Sequence, residues 1–187
     1  MATATLPMTT AELLAMPDDG KRRWLIKGQL REEGMTIRNR FHSMAMANLS
    51  GDLVLWRRSL PEPRGKVVCG EAGVRLPGND ETTVGVDVAY VSHEVMVQQT
   101  DETTIIEGVP TLVVEILSPS DTQEQIDEMV EEFLEAGVSL VWHVDPIDRT
   151  VTIYRPGEEP SFVNSRQRLE GGSELPGFGI PVAQIFD

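Results

Sequence analysis

The feature that most constrains this chain is the nearly uninterrupted apolar segment TLVVEIL at residues 111–117. A run of β-branched and aliphatic residues that does not alternate with polar ones is typical of a strand with both faces covered. Such a strand requires a packing layer on each side of its sheet. The segment therefore predicts an interior strand in a layered domain that contains both helices and strands.

The segments before and after this strand predict a mixed order of elements. Thr9-Thr10-Ala11-Glu12 has the form of a capping box and predicts a short helix. Two short β-type segments flank Lys27-Gly28 and predict a hairpin. Further strands are predicted over 66–76, 83–91, 140–144 and 150–155. The order predicts a mixed α/β domain, of the α+β type, around a central sheet.

Two longer helices are predicted from apolar residues at helical spacing. The first covers about 38–56 and the second about 122–136, where Gly137 is a suitable C-terminal cap. The stripe of the first helix is Phe41, Ala45, Leu49, Leu53 and Trp56. The final segment, 175–186, is expected to be a loop and a short helix or turn that packs on the domain.

Length and composition favour one domain over 1–187, because 187 residues with 40% apolar content can bury a core of ordinary size. We divide it into a helix and hairpin over 9–33, a core over 38–155, and a C-terminal strand, loop and helix over 160–187. Cys69 is the single cysteine, which excludes an internal disulfide. No apolar run reaches the roughly 20 residues of a membrane helix, and no secretory signal is visible, so a cytoplasmic location is expected.

The net charge of −14 conceals an asymmetry along the chain. Residues 1–75 hold 12 basic and 8 acidic side chains, whereas residues 76–187 hold 4 basic and 22 acidic ones. One interpretation is a basic face for a nucleic-acid backbone set against an acidic site. The other is an unevenly charged, solvated surface.

Two acidic residues stand where an ionised group is costly. Asp87 interrupts VGVDVAYV, and Glu115 interrupts VVEIL. Carboxylates on neighbouring apolar strands repel each other unless a cation lies between them, and Mg²⁺ suits such a pair because it keeps several waters. The Ile116 carbonyl and Glu71 are candidate further ligands. The alternative is that each acid occupies a strand end or faces solvent.

His143 alternates within an apolar strand and is expected to be either hydrogen-bonded or exposed. It has no metal-ligand spacing with His42 or His93.

These residues carry a resemblance to a known family. The chain resembles the putative restriction endonuclease family, a branch of the PD-(D/E)XK nuclease superfamily, over nearly its whole length. The resemblance lies in TAELL at 10–14, WLIKGQL at 24–30, DVAYV at 87–91, VVEILSPSD at 113–121, WHVDP at 142–146 and LPGF at 175–178.

The resemblance implies a restriction-endonuclease-like core, with a central mixed sheet flanked by helices, and hydrolysis of DNA that depends on Mg²⁺ or Mn²⁺. Asp87 matches the motif aspartate and Glu115 the motif glutamate, so both are expected catalytic metal ligands; Glu71 is expected to assist them. The expected DNA contacts are Arg38, Arg40, His42 and Lys66. The alternative for His42 is a surface or helix-packing histidine. A homodimer is suggested by analogy with enzymes that cut both strands.

The chain departs from the family pattern at the catalytic lysine. The common motif has a lysine two residues after the glutamate, where this chain has Leu117, and this family places one on the following helix, where this chain has Met129. A thioether carries no positive charge and accepts no proton, so hydrolysis is expected to be weakened unless another cation, such as Lys66, reaches the site. The alternative is a catalytically degenerate nuclease fold that acts as a DNA-binding or regulatory homodimer.

Overall fold

The computed structural model describes residues 7–34, 39–78, 81–119 and 121–187. Helices α1 to α4 span Thr10–Leu14, Arg40–Ser59, His93–Met96 and Gln123–Glu135, and a 3₁₀ helix spans Val182–Ile185. Strands β1 to β5 span Lys21–Ile26, Gln29–Gly34, Lys66–Leu76, Thr82–Val91 and Ile106–Glu107. Strands β6 to β11 span Leu112–Ile116, Leu140–Asp145, Thr150–Tyr154, Ser161–Asn164, Arg168–Glu170 and Gly179–Pro181.

A mixed sheet forms the centre of the fold. Its strands follow the order β2-β1-β4-β6-β7-β8-β9, and β3 pairs with β4 and with β5 off this path. Strands β6 and β7 are parallel, as are β3 and β5, whereas the other pairs are antiparallel. The predicted α+β class with a central mixed sheet is confirmed.

Helices cover the two faces of this sheet. Helix α2 and the C-terminal segment pack on one face, and α4 packs on the other. Strand β6 serves both layers: Leu112, Val114 and Ile116 join the α2 side, whereas Val113 joins the α4 side. The fully covered strand predicted from TLVVEIL is therefore confirmed, and alternation directs Glu115 to the α4 side.

Local sequence signals account for the ends of the helices. Thr9 and Glu12 form the predicted capping box at α1. At the end of α4, Gly137 has φ +98°, and its N–H donates to Leu134 O while the Val138 N–H donates to Phe133 O. This is a Schellman motif, and it confirms Gly137 as the cap.

The prediction that Phe41 belongs to the apolar stripe of α2 is wrong. Phe41 is 44% exposed, and its neighbour His42 is fully buried in line with Ala45 and Leu49. The helix also runs three residues beyond Trp56, whereas its predicted start at Arg38 lies outside the described residues. Across the described residues, no helix combines the length and the apolar character that crossing a bilayer requires.

Candidate active site

A β-bulge faces Asp87 at the middle of the sheet. Cys69 pairs with Val88 and Ala72 pairs with Val86, so Gly70 and Glu71 of β3 together stand against Asp87 of β4. Both bulge residues have positive φ, +88° for Gly70 and +58° for Glu71. A bulge bends its strand and changes the direction of nearby side chains, which is common beside functional sites.

Asp87 is buried and only partly satisfied. Its exposed fraction is 2%, and its Oδ2 accepts hydrogen bonds from the Ile116 N–H at 2.8 Å and, at 3.2 Å, from His42 Nε2. Within the described residues, Oδ1 has no hydrogen-bond partner. The alternative of a solvent-facing acid is wrong for Asp87, and an unfilled buried carboxylate oxygen is a group that a cation would satisfy.

Glu115 is the strand neighbour of Asp87. Val88 of β4 pairs with Val114 of β6 in antiparallel register, and the next residues on the two strands are Asp87 and Glu115. Glu115 is half-buried and also pairs in parallel register with His143 of β7. The register therefore places the two motif acids at neighbouring backbone positions of β4 and β6.

Arg22 of β1 links Glu71 to the strand that carries Asp87. Its Nη2 lies 2.9 Å from Glu71 Oε2 and donates to the carbonyl of Gly85 at 3.2 Å. A Cβ at Gly85 would stand 3.1 Å from Glu71 Oε2, so the missing side chain leaves room for this ion pair. Glu71 is thus an ion-pair partner of Arg22 beside the site.

A cleft opens between the β1–β2 hairpin, the ends of β6 and β7, and α4. Its lining residues are Arg22, Trp24, Glu33, Glu115, Leu117, Asp121, Gln125, Ile126, Met129 and His143. Leu117 and Met129, the two positions at which the resemblance implies a lysine, both lie in this wall. Arg22 brings a permanent positive charge to the same cleft from the hairpin.

His143 is buried in this cleft, and its ring has unusual polar surroundings. It is 4% exposed, and within the described residues neither ring nitrogen has a partner. Burial lowers the pKa of His143 to about 4, although the negative charges of Asp121 and Asp127 act in the opposite direction. The prediction that His143 is hydrogen-bonded or exposed was wrong.

This pKa shift predicts acid sensitivity. Because the ordinary pKa is 6.5 and the folded value is about 4, the unfolded chain takes up the proton first as the pH falls. At pH 5, this single group is expected to cost about 2 kcal/mol of stability relative to neutral pH. Urea unfolding in EDTA measures the free energy of unfolding at pH 7 and at pH 5. This free energy should decrease less between the two pH values for His143→Leu than for wild type. Equal losses in the two proteins would contradict this.

The other predicted contact residues that the structure describes do not line the cleft. Lys66 is exposed and pairs with Val91, four residues beyond Asp87 on β4, or about 13 Å along the strand. The Arg40 guanidinium lies 4.6 Å from the centroid of the exposed Phe41 ring. His42 contacts Asp87 from within the fold. Arg38 lies outside the described residues.

Basic side chains of the β1–β2 hairpin form ion pairs with acidic residues of α4. Lys27 pairs with Glu132 of α4 at 2.7 Å, and Arg31 pairs with Glu128 at 2.7 Å. These ion pairs connect the hairpin to the acidic helix α4. The charge asymmetry along the sequence is therefore partly neutralised in the fold.

The donor set fits a hydrated divalent cation better than a closed protein cage. Within residues 7–34, 39–78, 81–119 and 121–187, no three His, Cys, Asp or Glu side chains lie close enough to form a metal cluster. Mg²⁺ is commonly bound by one or two carboxylates while it keeps several waters. The open oxygen of Asp87 and the adjacent Glu115 meet that requirement.

Comparison with a solved structure identifies the class of fold. The structure resembles the crystal structure of "a putative nuclease belonging to DUF820" from Anabaena variabilis, with a TM-score of 0.78 and 19% identity, over 96% of this chain and 98% of the other. The two proteins therefore share a fold over nearly their whole lengths.

The family follows from the sequence itself. The profile of Uma2, described as "Putative restriction endonuclease", matches residues 10–183. The chain belongs to the Uma2 family, as the resemblance in its motifs predicts. No curated protein is significantly similar to it.

Proposed function

We propose that the chain is a divalent-metal-dependent DNA endonuclease, with Asp87 and Glu115 as its metal ligands. The observation that carries this proposal is the buried Asp87 with an open Oδ1, adjacent to Glu115 at the sheet. The Ile116 carbonyl is a candidate third ligand, because the N–H of the same residue donates a hydrogen bond to Asp87 and so keeps Ile116 next to that carboxylate. Mg²⁺ or Mn²⁺ would activate water and balance the charge that develops on the phosphate.

The reaction is hydrolysis of a phosphodiester. Water adds to phosphorus, one P–O bond breaks, and the departing oxygen takes a proton, which leaves a phosphomonoester and a hydroxyl group. Asp87 keeps its orientation through the Ile116 N–H and His42. Preorganised contacts of this kind lower the cost of arranging charge during the reaction.

Arg22 is the candidate replacement for the family's lysine. It lines the cleft together with Glu115, and its ion pair with Glu71 is about one third exposed on both sides. Partly exposed ion pairs contribute little stability, so a phosphate oxygen can compete for the guanidinium. We propose that Arg22, rather than Lys66, balances the charge of the substrate.

Wild-type protein is expected to nick supercoiled plasmid DNA in the presence of Mg²⁺ or Mn²⁺ and to leave it intact in EDTA. Gel separation of supercoiled, open-circular and linear forms measures the reaction. Activity in EDTA would contradict the metal dependence. Absence of product with either metal would contradict the endonuclease proposal.

Met129 and Leu117 in the cleft wall favour a second hypothesis, which is a catalytically degenerate nuclease fold that binds DNA or a regulatory partner as a homodimer. Under this hypothesis, fluorescence anisotropy detects binding to a labelled duplex while the duplex stays uncut. Sedimentation of the free protein tests the dimer separately.

A further inference from the structure

Trp24 is the tryptophan that the fold leaves accessible in the cleft. Of the three tryptophans in the chain, Trp56 and Trp142 are buried in the core on the α2 side of the sheet. Trp24 of β1 is half-buried and lines the cleft between the hairpin and α4. Ligand sites in proteins are typically concave and lined by aromatic and apolar side chains with a few placed polar groups.

The surroundings of the Trp24 ring combine apolar groups with one cation. Leu117, Ile126 and Met129 line the same cleft. Arg22 is two residues from Trp24 on β1, and its guanidinium carbon lies 5.4 Å from the centroid of the indole ring. Indole rings and guanidinium planes are both surfaces on which unpaired nucleobases stack, and arginine also pairs with phosphate.

His143 supplies an unsatisfied polar group to the same cleft. It is 4% exposed, and neither ring nitrogen has a hydrogen-bond partner within the described part of the chain. Because burial lowers the pKa of His143 to about 4, the ring is uncharged at neutral pH and has one donor and one acceptor nitrogen. The edge of a nucleobase presents donors and acceptors that such a ring can bind.

The charge of the cleft favours the uncharged part of a nucleotide. The lining carboxylates are those of Glu33, Glu115 and Asp121, against the guanidinium of Arg22. Acidic side chains repel phosphate groups, so we expect a phosphate to lie only beside Arg22. A neutral base meets no such repulsion, and its amino group can donate to a carboxylate.

The sheet gives the cleft room for more than one nucleotide. Strands β1, β4, β6 and β7 are successive neighbours, so the strands that carry Trp24 and His143 are about 14 Å apart. Gln125 Nε2 donates to Glu33 Oε1 at 3.4 Å and so connects α4 to the hairpin at this cleft. In a duplex, neighbouring bases cover the two faces of each base and only the edges are open in the grooves. A base that stacks on Trp24 is therefore unpaired.

We propose that the cleft binds an unpaired segment of DNA, with one base stacked on Trp24 and a nearby base hydrogen-bonded to His143. Arg22 contacts the phosphate beside the stacked base. This inference rests on the proposed function and narrows its substrate to DNA with unpaired bases, which single strands and locally opened duplexes provide.

DNA binding in EDTA tests the cleft separately from cleavage. Anisotropy of a labelled short single strand and of its blunt duplex gives the affinities of wild type, Trp24→Leu and Trp24→Phe. Wild type is expected to bind the single strand more tightly than the duplex. Trp24→Leu is expected to lower single-strand affinity at least about 5-fold and to change duplex affinity much less, while Trp24→Phe keeps most of the affinity. The matched control Phe162→Leu removes an exposed aromatic ring of β9 and is expected to change neither.

Tryptophan fluorescence reports the stacking in unmodified protein. Because Trp56 and Trp142 are buried, an unlabelled single strand is expected to quench the emission of Trp24, and this quenching should be absent in Trp24→Leu. His143→Leu is expected to lower single-strand affinity roughly 5-fold and to keep the quenching at saturating DNA. Deoxyadenosine monophosphate, which offers one base, is expected to bind more weakly than the strand.

Each outcome bears on the proposal. Equal affinity of wild type for single strand and duplex overturns it, as does unchanged single-strand affinity in Trp24→Leu or absence of quenching in wild type. Equal losses for both DNAs in Trp24→Leu also overturn it, because they indicate a structural role. A monophosphate that binds as tightly as the strand assigns the cleft to free nucleotides instead. The endonuclease proposal fails separately: a protein that binds single strands through Trp24 but never nicks plasmid refutes the activity and keeps this inference.

Discussion

Replacing Asp87 with Asn is expected to lower metal-dependent DNA cleavage at least about 100-fold, since even the outer partners of metal ligands are worth 10–100-fold. The variant keeps the shape of the side chain and one oxygen that accepts from the Ile116 N–H. It removes the negative charge with which Asp87 would hold the cation. The loss is therefore expected in the chemical step and in metal affinity rather than in folding.

Stability distinguishes this role from a structural one. A buried carboxylate with an unfilled oxygen is costly in the absence of a cation, so Asp87→Asn should unfold in EDTA at the same temperature as wild type or at a higher one. The matched control is Asp52→Asn on α2. Asp52 Oδ1 accepts a hydrogen bond from the Gln184 side chain, and the amide oxygen of asparagine can accept the same bond. Equal plasmid nicking by wild type and Asp87→Asn would refute the assigned site.

The sequence predicted the fold well because each main element leaves a periodic or local signal. The apolar run of β6 indicates a strand covered on both faces, and the capping box at Thr9 marks the start of α1. The same runs made Asp87 and Glu115 conspicuous, because an acid among β-branched residues requires a reason. The antiparallel register of β4 and β6 then places these two acids at neighbouring positions of the sheet.

Phe41 shows where periodicity is insufficient. Residues 41 and 42 both continue the i, i+3, i+4 pattern that ends at Trp56, and hydropathy favours the phenylalanine. In the fold, His42 is buried instead, because it bonds the carboxylate of Asp87. A polar residue in an apolar stripe is thus explained by a contact that lies 45 residues away along the chain.

The places of Arg22 and His143 in the cleft could not be predicted from the sequence, because they depend on pairing register. His143 meets Glu115 only through the parallel register of β6 and β7. Arg22 reaches Glu71 because the hairpin lies beside β4 and the β3 bulge turns Glu71 out of the ladder. Lys66 is near Glu71 in the sequence, but the extended strand β3 places it away from the acids.

Replacing Met129 with Lys is expected to raise the rate of metal-dependent cleavage by about 100-fold, the lower end of what a positioned acid–base group contributes. Met129 lies on α4 in the wall of the cleft that contains Glu115. An ammonium group there can orient water and balance the phosphate, which a thioether cannot do. The substitution gives up part of the apolar packing beside the α4 core, so a modest loss of thermal stability is expected with the gain.

A lysine elsewhere on the same helix separates position from charge. Gln123→Lys adds the same charge at an exposed site of α4 and is expected to leave the rate near that of wild type. The double variant Asp87→Asn with Met129→Lys is expected to be as inactive as Asp87→Asn alone, because the lysine acts only with the cation in place. If wild type does not cut and Met129→Lys does, the degenerate hypothesis is favoured and the fold retains a complete metal site. If Met129→Lys is no faster than Gln123→Lys, the missing lysine does not limit this protein, and Arg22 becomes the cation whose removal should be measured next.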